Sequence, residues 1–122
     1  MTAQLNSAPD PSVVLMKTAL RMRAAFDLSP AEFADILGVS SSQLRRYTEQ
    51  TPFSSQGTRQ RAAMFVRAVR SLEALVGENT DRAKAWLTSL NSDLGDKRPL
   101  DLLKTIEGMT DVVRYLDAMR GT

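Results

Sequence analysis

The sequence predicts an all-α protein of about seven helices. Three observations lead there. Apolar residues recur at helical spacing along most of the 122-residue chain, the helical runs are opened by Ser, Asp or Pro and closed by Gly, and no stretch alternates as a strand would. A chain of this length buries roughly two-thirds of its unfolded surface, enough for one small domain or two helical subdomains sharing a core.

Residues 1–9 are small and polar and read as a loose tail. Asp10-Pro11-Ser12 supplies a cap, a helix-starting Pro and a first turn, and Val13, Met16, Leu20 and Ala24 follow as an apolar stripe. Ser29-Pro30 with Glu32 opens a short helix with Phe33, Ile36 and Leu37 on its apolar face, and Gly38 stops it. Thr51 to Gly57 forms a turn-rich connector. A long helix from about Thr58 to Val76 then carries Met64, Phe65, Ala68, Val69, Leu72, Leu75 and Val76 on one side, with Arg59, Arg67 and Arg70 opposite. Gly77 ends it. Thr80 or Asp81 caps the next helix, with Ala83, Trp86, Leu87 and Leu90 inward. After the turn chemistry of Asn91 to Pro99, Leu100, Leu102, Leu103 and Ile106 make a short helix closed at Gly108. A last helix from about Thr110 to Arg120 buries Val112, Val113, Leu116 and Met119.

The stretch from Pro30 to Tyr47 is a helix, a Gly turn and a second helix, and each special position meets a physical need. Ala34 is small where the helices cross, Gly38 takes positive φ without strain, and Val39 fills the turn. Ser40 or Ser41 caps the second helix, and Leu44 joins Phe33 and Leu37 inside. In these residues the segment resembles the helix-turn-helix of Xre/Cro-type repressors. With Leu44 inward, Ser41, Ser42, Gln43, Arg45 and Arg46 lie on or near the outer face, the part of such a unit that enters a major groove. Gln43 suits adenine and Arg46 guanine, while Ser41, Ser42 and Arg45 suit phosphate. Glu49 is out of place near a phosphate backbone.

Charge is divided along the chain. Lys17 to Arg70 carries nine basic and four acidic side chains, whereas residues 71–122 carry seven basic and nine acidic, within an overall charge of +2. A cationic front half facing nucleic acid and a second half facing something else fits that division. One copy neutralises few phosphates, so two copies on paired half-sites, a homodimer on operator DNA, are expected.

From Ala85 the chain supplies Trp86-Leu87, Asn91, Leu94-Gly95, Pro99, Leu102-Leu103, Thr105, Gly108, Val112 with Val113, Leu116 and Gly121. In these residues it resembles the toxin-binding domain of Xre/MbcA/ParS-type antitoxins. It departs from their pattern at Asp96, where a second Gly is common. The resemblance implies an antitoxin of a type II toxin-antitoxin system. Such a protein inhibits a RES-domain, NAD-acting toxin by covering its active site, and as a DNA-bound dimer represses the operon. It also implies that Tyr115, Met119, Arg120 and Gly121 meet the toxin, with Arg120 and the chain end as plug and Tyr115 and Met119 as apolar anchors. The organisation expected is thus 1–9 tail, 10–57 helix-turn-helix DNA-binding region, 58–78 long connecting helix and 79–122 small helical toxin-binding bundle.

With neither Cys nor His, the chain lacks the thiolate and imidazole on which most catalytic and zinc sites rely. Glu32 with Asp35, and Asp93 with Asp96, have no converging ligands of other types. No catalytic residue, metal or cofactor is expected. No basic start leads into a long apolar run, and no stretch suits a membrane span or membrane-surface helix, so a cytoplasmic protein is expected. Two other functions fit the same residues: a stand-alone helix-turn-helix regulator whose C-terminal half only dimerises, and an interaction module whose helix-turn-helix no longer binds DNA.

Overall fold

The computed structural model describes residues 11–47 and 55–121. The 1–9 tail, Asp10 as a cap, Glu49, Thr51–Ser54 of the connector and Thr122 lie outside the described residues. Seven α-helices occur among them: α1 (Pro11–Ala25), α2 (Pro30–Leu37), α3 (Ser41–Arg46), α4 (Gln56–Val76), α5 (Thr80–Thr88), α6 (Pro99–Leu102) and α7 (Ile106–Met119), with a 3-10 turn at Ser92–Leu94. No strand forms among the described residues, only an isolated bridge between Asn91 and Lys97.

The long helix α4 is the axis of the molecule. It packs on α1, α2, α5 and α7. Its buried residues Ala62, Phe65, Val66, Ala68, Val69 and Leu72 belong to one continuous core with Met16, Phe33, Ile36, Leu100, Leu103, Met109, Val112 and Leu116. Phe33 of α2 meets Phe65 edge to face, with ring centroids 5.6 Å apart, an arrangement that aromatic quadrupoles favour.

Local chemistry explains most boundaries. The Ser29 hydroxyl accepts from the Glu32 amide at 3.1 Å, and Pro30 occupies the first turn of α2. At its far end Gly38 takes φ 71°, while its amide and that of Val39 return to Asp35 and Ala34, a left-handed cap closed by two hydrogen bonds.

Other expectations are corrected. Ala19, not Ala24, is buried on α1 with Met16, because α4 covers that side. Ser55 caps α4, which therefore starts at Gln56, and Asn79 rather than Thr80 or Asp81 caps α5 by accepting from Arg82 N at 3.0 Å. Leu75 is exposed at the last turn of α4, and Leu90, 73% exposed, lies beyond the end of α5. Ile106 is exposed and opens α7, so α6 is a single turn. Gly108 ends no helix. It lies in the first turn of α7, capped by Thr105, where a Cβ would sit 2.2 Å from the Leu102 carbonyl oxygen; the close crossing of α6 and α7 admits only hydrogen there. Met119 is 58% exposed instead of buried, because α4 meets the last turn of α7 on another side, through Asp117 and Arg120.

Candidate nucleic-acid and partner-binding surfaces

The first surface is built by the cap of α3. The Ser40 hydroxyl accepts from the Gln43 amide at 3.1 Å, which fixes where the helix begins and which way its side chains turn. Leu44 and Val39 are half-buried against the core, and the buried Tyr47 closes the helix as its amide donates to the Leu44 carbonyl. Ser41, Ser42, Arg45 and Arg46 are then exposed on one short helix, with Gln43 half-buried beside them. Arg45 donates to Ser42 Oγ at 3.4 Å, so these two side chains are mutually oriented. The structure thus brings together the five residues expected to face DNA.

Sequence reasoning missed Arg23. It lines, with Arg45, Leu20, Pro30, Phe33 and Leu44, an apolar groove of about 210 Å³ beside α3, so α1 adds a cation to this face. The two arginines stand 22 positions apart, and no local pattern links them.

The second surface is formed by α7 and the loop before α6. Tyr115 stacks on Trp86 of α5, centroids 6.2 Å apart, and its hydroxyl donates to Asp93 Oδ2 at 2.9 Å. That hydrogen bond to a carboxylate raises the Tyr115 pKa above the usual phenol value and keeps the hydroxyl a donor. Asp93 is held in turn by Asn91, whose side chain accepts from the Asp93 amide and whose carbonyl accepts from the amides of Leu94 and Asp96. Asp96, the departure from the family pattern, adopts φ 59°, the left-handed conformation that Gly takes most easily and Asp tolerates. Tyr115 is therefore a brace with one open edge, and with Lys97, Asp111 and Arg114 it lines a groove of about 500 Å³.

Met119 stands one turn further along nearly the same face, at 100° per residue. Arg120 points elsewhere. Its Nη1 donates to Ser71 Oγ on α4 at 3.1 Å, beside the pair of Arg67 with Asp117 at 2.5 Å. Gly121 follows with φ 78°. The structure brings Tyr115 and Met119 to one face and turns Arg120 toward α4.

Between the two surfaces lies an ionic cluster. Arg98 donates to Asp101 through Nε at 2.9 Å and Nη2 at 2.8 Å, Lys104 donates to it at 3.2 Å, and Glu32 of α2 lies 3.9 Å from both cations. The Arg98 hydrogen bonds, followed by the Lys104 contact, hold the Asp101 pKa near 2, against an ordinary value of 3.8. A carboxylate depressed in this way stabilises the fold above about pH 4, and that contribution is lost as pH falls from there through about 2. Following the Asp101 carboxyl carbon by NMR from pH 5 to 1.5 is expected to give a midpoint near 2, and Arg98→Ala should return it towards 3.8.

A helix-turn-helix leads through one long helix into a compact helical region, a two-part all-α architecture. Residues 7–67 match the antitoxin Xre-like helix-turn-helix domain, and residues 71–121 match the antitoxin Xre/MbcA/ParS C-terminal toxin-binding domain. The chain belongs to this antitoxin family. A search of curated proteins gave no match. The two matched regions adjoin within α4, the helix that serves both. None of the helices among the described residues is long and apolar enough to cross a membrane.

Proposed function

We propose that this antitoxin binds a RES-domain, NAD-acting toxin and inhibits it by covering the active site with the last turn of α7, and that as a dimer it binds operator DNA and represses its own operon. The division of labour proposed is DNA reading by residues 10–57, toxin binding by 79–122, and a shared helix between. The observation that carries the toxin half is Met119, a large apolar side chain left 58% exposed one turn beyond the open edge of Tyr115. Tyr, Met and Arg are all enriched at protein–protein interfaces relative to the rest of the surface. Arg120 spends one donor on Ser71 and keeps others for an anionic partner.

Removing residues 119–122 tests this. Leu116 is the last buried residue of α7, so the shortened chain should keep its helical content and its operator affinity. Its inhibition of the toxin should weaken by at least about tenfold, the loss typical of an interface anchor. Full inhibition by the shortened chain, measured as suppression of NAD turnover, would refute occlusion by this segment.

A further inference from the structure

The two halves also touch at a place that neither surface uses. Arg61, half-buried on α4, reaches the turn between α2 and α3 and the junction between α6 and α7 together. A Cβ at Gly38 would lie 2.9 Å from Arg61 Nε, 3.0 Å from Cζ and 3.1 Å from Cδ, so the guanidinium end fills the space a side chain at position 38 would take. The same group donates through Nη1 to the Lys104 carbonyl oxygen at 3.3 Å, forty-three residues away. On the flank, Glu32 lies within 3.9 Å of Arg98 and Lys104. Gly38 is thus constrained twice, by its positive φ and by the neighbour that occupies its missing side chain. A planar guanidinium can cover a backbone and donate to a carbonyl at once, which the point charge of Lys cannot do.

We propose that Arg61 is a positioning residue for DNA reading: it props the Gly38 turn against the Lys104 carbonyl, so that the α6–α7 junction sets how α3 is presented. The effect on operator affinity rests on the DNA-binding function proposed above; the effect on α3 geometry does not. Glu32 acts in the same direction by holding α2 to Arg98 and Lys104.

The test uses full-length Arg61→Ala, Arg61→Lys and Glu32→Gln, read by backbone amide chemical shifts without DNA and by operator affinity in fluorescence anisotropy. Arg61→Ala should shift the amides of residues 38–46 as well as 104–108 and lower operator affinity about tenfold, as expected for coupling between sites. Arg61→Lys should fall between it and the unaltered chain, because it restores the hydrogen bond but not the cover over Gly38. Glu32→Gln should shift the same amides by less. Shift changes confined to the neighbours of residue 61 on α4, or operator affinity within about twofold of the unaltered chain, would overturn the proposal. If the unaltered chain itself does not bind its operator, the operator function fails, and the amide shifts alone decide the positioning role. If Arg61→Ala does not fold, the other two variants decide by the same criteria.

Discussion

Replacing Gly108 with Ala is expected to lower the stability of the fold more than any other substitution considered. The added Cβ would stand 2.2 Å from the Leu102 carbonyl oxygen and 2.9 Å from its carbonyl carbon and Cα, all backbone atoms that no rotamer change can move. Relief requires α6 and α7 to separate, yet Leu100, Leu103, Met109 and Val112 are buried where they meet. Overpacking of a dense core costs about 1–3 kcal/mol, and here the obstruction is backbone, so the upper end or beyond applies. Against a total stability of roughly 5–15 kcal/mol, melting should fall by about 10 °C or more. Gly57→Ala is the control: its Cβ would meet only Ser55 Oγ, at 3.9 Å, and melting should stay within about 2 °C. Differential scanning calorimetry of both variants decides. An unchanged transition for Gly108→Ala would mean that the crossing is looser than its geometry requires.

Replacing Arg45 and Arg46 together with Ala is expected to abolish specific operator binding while leaving toxin inhibition intact. Both side chains are exposed on α3, and neither supports the core. A specific base contact is worth about 1–3 kcal/mol, so losing Arg46 from both subunits of a dimer removes roughly 2–6 kcal/mol. Losing the phosphate contact of Arg45 twice should flatten the dependence of log affinity on log salt by about 1.8. Anisotropy titrations at several salt concentrations separate the two effects. Loss of affinity with an unchanged salt slope would place Arg45 away from phosphate.

The helix-turn-helix was legible because its signals act between near neighbours: Ser29 with Glu32, Gly38 with Ala34 and Asp35, and Ser40 with Gln43. Where several candidates stood side by side, as in Asn79-Thr80-Asp81, the capping residue was misplaced by one or two positions, since all three types can accept the amide. Gly108 was misread for a deeper reason: a Gly needed for close approach and a Gly that stops a helix look the same until the opposing Leu102 backbone is known. Leu75, Leu90 and Met119 continue helical periodicities past the point where neighbours cover them, and periodicity carries no information about where cover ends. The contacts that organise the C-terminal surface, Trp86 with Tyr115 and Tyr115 with Asp93, join residues too far apart for spacing to announce. The same holds for Arg61 with Lys104.

Hydrogen-deuterium exchange of the full chain, recorded free, with its cognate toxin and with operator DNA, tests the two-surface account most directly. The account predicts that toxin slows exchange in the second half of α7 while leaving Ser40–Arg46 unprotected by direct contact, and that DNA slows Ser40–Arg46 and spares the end of α7. Protection of α3 by toxin with no change around Met119, or of α7 by DNA with none at α3, would contradict it.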